Sequence, residues 1–260
     1  MSGDTLYDIM NRKLFFAIAS VMTGAGCFAA APATDAFIKI NDVKKRHPRV
    51  LSVTYPGDSD WAAVYGSLYC HGAVVENPWA AFRVYINQTQ SVDLYLKKAE
   101  RLETESVGFY PSKEQTAEGW GRDVLEIKKS IGCGSFAAWN GTDFVRVDSV
   151  ETRTQTVLND STVQVIDKGW MLNGHAINMV QTYSVRGDSL SLYVEIELKG
   201  AKKGDLFVTG ATETSADGYV IEVEADPKNV MERFDAHDSQ LITLRPHHGK
   251  IRYKVTPRWL

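Results

Sequence analysis

The chain of 260 residues holds only three cysteines, no block of Lys or Arg standing clear of acidic neighbours, and no apolar run of bilayer length. So few cysteines exclude a disulfide-rich scaffold. With 29 Lys and Arg against 32 Asp and Glu, the net charge is −3, and nothing makes a nucleic-acid footprint; no nucleic-acid partner is expected. The longest apolar run, Leu14 to Ala25, has twelve residues, where a span needs about 20, so no membrane span is expected. A Walker loop, a dinucleotide fingerprint, G-x-S-x-G and H-E-x-x-H are all missing, which sets aside the enzyme classes they define. The histidines are scattered, and the adjacent pair His247-His248 points its side chains apart, which suits a metal poorly. Neither a metal nor another cofactor is expected.

What is present begins with an export pattern. Asn11-Arg12-Lys13 is basic, Leu14 to Ala25 is apolar, and Ala29-Ala30-Ala31 offers small residues for cleavage, the order of a secretory signal. Residues 1–31 therefore read as a signal peptide, Met10 as its start and residues 1–9 as an extension, with the mature protein periplasmic or secreted. Cys27 raises a lipid anchor, but Gly24 stands where a lipobox usually has Leu. Cys70 and Cys133 then remain in an oxidising compartment, as one disulfide or as two separate buried thiols.

Residues 32–260 read as a single domain. Hydrophobic residues at 44% and charged residues at 23% suffice for a sizeable core. From about residue 36 the pattern is strand after strand. Leu190 to Leu198 alternates five aliphatic residues with Ser191, Tyr193, Glu195 and Glu197, as a half-solvated antiparallel strand requires. Further strands are predicted at 36–41, 49–54, 79–86, 92–97, 123–128, 143–158, 161–172, 175–186, 204–210, 217–225 and 250–256. Asn140-Gly141, Asn173-Gly174 and Asp217-Gly218 supply hairpin turns. Short helices are predicted at 112–118, after Pro111, and at 229–236, after Asp226-Pro227. The fold class is all-β: an antiparallel β-sandwich, supersandwich or jelly-roll-like, with few short helices.

The candidate site is the segment from His71 to Tyr95. A hairpin with a five-residue loop at 87–91 places Ile86 opposite Val92, Val84 opposite Leu94 and Phe82 opposite Leu96 on an apolar face. The other face carries Trp79, Arg83, Tyr85, Asp93 and Tyr95, with Tyr85 opposite Asp93 and Arg83 opposite Tyr95. Rings beside a guanidinium and a carboxylate suit a sugar; the same residues also serve a solvated sheet face as ordinary cross-strand pairs. His71, Glu76 and Asn77 are expected in the loop feeding this strand, where function concentrates. A second cluster, Glu118-Gly119-Trp120-Gly121-Arg122-Asp123 with Ser130-Ile131-Gly132-Cys133-Gly134-Ser135, offers a stacking ring in Trp120 and glycines for close backbone approach, or simply two glycine-rich turns. Trp79, Asp93, Trp120, Asp123 and His175 are the candidate substrate-binding residues.

The runs HGAVVENPWAAFRVYINQTQSVDLYLK and FYPSKEQTAEGWGRDVLEIKKSIGCGSFAAWNG resemble domain-of-unknown-function family 4861, found in polysaccharide-utilisation loci of Gram-negative bacteria. Leu96 stands where that pattern has a glycine after the Tyr, and family members look longer than a chain stopping at Leu260, which implies a domain short at its C-terminus. The resemblance implies an exported carbohydrate-processing protein, one branch being linked to dehydration of uronic-acid ends of ulvan oligosaccharides. An oligosaccharide substrate or glycan ligand is the expected partner. For a β-elimination, Arg83 would neutralise the carboxylate, His71 and Tyr85 or Tyr95 would serve as base and acid, Glu76 would orient His71, and Trp79 or Trp120 would stack on the ring. A non-catalytic glycan-binding module competes with this reading, as does a hydrolase or epimerase using Glu76 and Asp93.

Overall fold

A computed structural model describes residues 33–107, 110–123, 125, 130–213 and 218–260, with the backbone alone at Arg122 and Asp123. The predicted signal segment and Cys27 lie outside these residues, as does most of the predicted strand 123–128. In chain order, β1 (Asp35–Lys39), β2 (Arg49–Val50) and β3 (Ser52–Pro56) precede α1 (Trp61–Ser67), then β4 (Gly72–Glu76), β5 (Ala80–Tyr85) and β6 (Val92–Leu96). Helices α2 (Thr104–Val107) and α3 (Lys113–Ala117) lead to β7 (Arg122–Asp123), β8 (Ala137–Trp139) and β9 (Phe144–Val145). The long strands follow: β10 (Thr152–Asn159), β11 (Thr162–Leu172), β12 (His175–Arg186) and β13 (Ser189–Lys199). The chain closes with β14 (Phe207–Thr212), β15 (Tyr219–Ala225), β16 (Val230–Ala236), β17 (Ser239–Leu244) and β18 (Lys250–Trp259).

These strands make an all-β sandwich of three antiparallel sheets: six-stranded β2-β1-β4-β5-β6-β7, seven-stranded β15-β18-β13-β12-β11-β10-β3 and five-stranded β16-β17-β14-β8-β9. The expected alternation holds in β13, where Leu192, Val194, Ile196 and Leu198 enter the core and Glu197 faces water. Cys133 N donates to Val92 O, and Gly134 N to Gly210 O, so the six- and five-stranded sheets continue one another opposite the seven-stranded one. One cluster of buried residues draws on all three, among them Phe82, Leu94, Trp170, Met179, Ile196, Phe207 and Ile242. No helix of the described residues is long and apolar enough to cross a membrane.

Three expectations need correction. Residues 229–236 are not a helix: Asp226-Pro227 starts a turn in which Asn229 N bonds Asp226 O, and β16 then pairs with β17 from Val230↔Leu244 to Ala236↔Ser239. A charged, mostly exposed edge strand carries no apolar period of its own, and distant pairing decides its state. The run Gly72–Glu76 is no feeder loop, since it forms β4, buried along its whole length, with His71 in the bend just before it. The β5–β6 register is slipped by two residues, with Val84↔Val92, Arg83↔Asp93 and Ala81↔Tyr95; because the strand period is two, every side chain keeps its predicted face while its partner changes. The 112–118 helix is present as α3, capped by Ser112 and Gln115 in a reciprocal capping box.

Candidate active site

The site is assembled by a polar network inside the sandwich. Gln155 of β10 is fully buried; its Oε1 accepts from Ala73 N at 2.9 Å and its Nε2 donates to Val84 O at 3.0 Å, bridging β4 and β5. Arg153, also fully buried, meets Asp167 Oδ1 at 2.5 Å and donates to Ile86 O and Asn87 O at 3.1 and 2.7 Å. Its guanidinium lies 4.6 Å from the Trp61 ring centroid, which fixes the start of α1; Asp60 caps that helix through the amides of Ala62 and Ala63. Gln90, at the β5–β6 turn, donates to Asp167 Oδ2 at 2.6 Å. One network thus fixes α1, the start of β4 and the end of β5, and these carry Tyr65, His71 and Tyr85.

Those three side chains are half-buried and meet directly. The Tyr65 and His71 rings stack at 3.7 Å, and Tyr85 stands edge-on to both, at 5.1 Å from Tyr65 and 5.9 Å from His71. His71 Nδ1 lies 3.1 Å from Tyr65 O. A carbonyl only accepts, so Nδ1 holds the proton and Nε2 the lone pair. Partial burial pushes the imidazole pKa below its ordinary value, which keeps it neutral near pH 7.

Beneath them, Arg83 NH2 contacts Asp93 Oδ2 at 2.6 Å, both side chains being 2% exposed, and lies 3.4 Å from Tyr85 Oη. The Tyr85 hydroxyl donates to Asp93. Burial first, then the Asp93 charge, pushes the Tyr85 pKa well up. The Tyr85 hydroxyl thus ends on an ion-paired carboxylate, with the Tyr65 and His71 rings beside the Tyr85 ring.

The other predicted residues take different places. Tyr95 is 1% exposed, with its ring 4.4 Å from the Arg83 guanidinium; it holds the arginine from below. The face expected to be solvated is in fact covered, because Tyr95 packs with Phe37, Val74, Val107 and Trp120. Glu76 does not orient His71: its carboxylate takes Lys97 Nζ and the amides of Glu103 and Thr104. Trp79, half-buried in the turn after Asn77, makes no ring contact with Arg83, Tyr85 or His71. Trp120 is half-buried, with Arg101 5.3 Å from its ring. Asp123 pairs with Tyr95 through the backbone, and its side chain lies outside those described. His175 belongs to another corner, bonded to Asp205 at 2.9 Å.

Two features of the second cluster are packing. Gly134, at φ +71, would place a Cβ 2.3 Å from Val255 Cγ2, so its close approach serves the core. Cys70 and Cys133 form no disulfide and are buried thiols; burial pushes the Cys70 pKa up to about 12, far from thiolate reactivity. The residue that sequence reasoning missed is Tyr65. It sits in a seven-residue helix whose one buried member is Val64, too short to show helical periodicity.

Fold and site together define an all-β sandwich protein with a Tyr–His–Tyr cluster above a buried Arg–Asp pair. The sequence matches the family described as domain of unknown function, DUF4861, over residues 29–244. The chain belongs to that family. A comparison with curated proteins gives no match.

Proposed function

We propose that this protein is an exported, periplasmic or secreted, hydro-lyase performing β-elimination on uronic-acid-containing oligosaccharides, with Tyr65, His71 and Tyr85 as its reacting groups. The observation that carries the reading is the convergence of a neutral imidazole and two phenols beside the Arg83–Asp93 pair. His71 Nε2 removes the proton next to the uronate carboxylate. The electron pair forms the C=C bond as the C–O bond at the next carbon breaks, and the leaving oxygen takes a proton from the Tyr65–Tyr85 hydroxyl pair and departs as water. Proton transfers of this kind contribute on the order of 10²–10⁴-fold each.

Arg83 changes role from the sequence expectation. Its charge is matched by Asp93, so it holds the acceptor that fixes Tyr85, and the substrate carboxylate meets hydroxyl donors above it. That balance is also what favours the second reading, a glycan-binding module without catalysis. The hydrolase or epimerase reading loses support because Glu76 and Asp93 are each buried against a cation, where an open cleft between carboxylates is needed. The test is incubation with uronic-acid oligosaccharides while following ultraviolet absorbance of the new unsaturated bond. Signal from wild type that falls at least about 10²-fold in His71→Ala and in Tyr85→Phe supports elimination; binding with no signal supports the module.

A further inference from the structure

A second constellation lies on the outer face of the five-stranded sheet. Trp139 of β8 faces Phe144 of β9, their ring centroids 5.7 Å apart; Phe234 of β16 is 5.5 Å from Trp139, and His237 is 5.1 Å from Phe144. All four rings are half-buried, and they rest on the buried residues Ile131, Ala137, Val208 and Leu241. His237 is held by the exposed β8–β9 loop, with Nε2 2.8 Å from Thr142 O and 3.6 Å from Asp143 Oδ1.

Arg146, just past the end of β9, sets its guanidinium 4.9 Å from the Phe144 ring centroid. The two buried arginines among the described residues have carboxylates: Arg83 has Asp93, and Arg153 has Asp167, while Arg146 is half-buried. Arg146 pairs with no carboxylate among the described residues, and its NH1 is buried without a hydrogen-bond partner. Burial alone pushes its pKa down, as expected for a cation withdrawn from water without compensation. A contact with a ring face leaves that donor unsatisfied, and a buried donor without a partner is destabilising.

We propose that Arg146 and the rings of Trp139, Phe144, Phe234 and His237 form a second binding site, for an acidic sugar residue. Arg146 is only half-buried as a residue, and its guanidinium takes a carboxylate or sulfate through charge-assisted N–H bonds. The ring faces take the C–H face of the pyranose, and exposed Asp143 accepts from its hydroxyls. A shallow tray beside a polar loop suits one hydroxylated ring better than the apolar centre of a protein interface, from which charge is depleted. The site stands on a different sheet from His71 and does not depend on elimination there.

Isothermal titration with three probes tests it: oligogalacturonate, a sulfated disaccharide and a neutral cello-oligosaccharide. The proteins are wild type, Arg146→Gln, Arg146→Lys, and a His71→Ala/Tyr85→Phe double variant. Wild type and the double variant should bind an acidic probe; Arg146→Gln should bind at least about tenfold more weakly, with Arg146→Lys in between. Whether the carboxylated or the sulfated probe wins identifies the acid. Absence of binding, equal binding by Arg146→Gln, or equal binding of the neutral sugar overturns the proposal. So does a markedly lower melting temperature in Arg146→Gln, which would make the guanidinium structural. Lost elimination activity with Arg146-dependent binding intact bears on the His71 site alone.

Discussion

Asp93 and Arg83 are each 2% exposed and 2.6 Å apart, so removing either charge strands the other in a dry layer between β5, β6 and the segment that covers Tyr95. Breaking such a pair from one side costs about 3–5 kcal/mol. Arg83→Met and Asp93→Asn are both expected to lose stability in that range. Asn keeps an acceptor for the Tyr85 hydroxyl, so the double variant Arg83→Met/Asp93→Asn strands no charge and retains that bond. It should be more stable than the sum of the single losses by at least about 2 kcal/mol, a coupling of the size contacting residues show. The assay is urea unfolding followed by near-ultraviolet circular dichroism. Additive single losses would refute the reasoning.

Further outcomes follow from other residues. The folded pKa of His71 is lowered by partial burial, so its contribution to stability is present above the unfolded value of about 6.5 and is lost as pH falls through the folded one; a titration of its ring protons by NMR should give a midpoint below 6.5, and one above it would contradict the burial argument. Gln155→Leu strands Ala73 N and Val84 O, at about 1–3 kcal/mol for each buried group, and thermal unfolding should fall by about 2–4 °C per kcal/mol; an unchanged melting temperature would show that neither group needs the amide. Gly134→Ala should cost about 1–3 kcal/mol from overpacking against Val255 and a further ~1 kcal/mol from its left-handed backbone, and Val255→Ala in the same chain should restore the first part alone. Cys70 and Cys133 should resist thiol reagents in the native protein and react once denaturant exposes them; rapid native labelling would contradict their burial.

Where alternation met one buried face, the sequence was legible. Leu190 to Leu198 and the strands of the seven-stranded sheet declared themselves because half of each faces water. β4 stayed hidden for the opposite reason: all five of its residues are buried, so Gly72-Ala73-Val74-Val75 shows no period of two. For the site, parity was enough to place Arg83, Tyr85, Asp93 and Tyr95 on one face, but loop length did not fix the register. Buried Gln90 and the Asn87 turn, tied to Asp167 and Arg153 of other strands, hold the hairpin two residues from the expected pairing. Tyr65 was invisible because α1 owes its place to Arg153 beneath Trp61, a contact that no local pattern encodes.

The amide of Gln155 reaches Ala73 across 82 positions of sequence and Val84 across 71. The β4–β5 hairpin therefore cannot complete its own hydrogen bonding when it first forms. It waits for β10, translated far later, to deliver the missing amide. Loop closure over such separations is slow to be repaid by contacts, so the cluster of Tyr65, His71 and Tyr85 takes its working geometry only when the two layers meet. Assembly of the site is then a late event in folding, and a chain cut before Gln155 would carry every reacting residue without the shape that lets them act together.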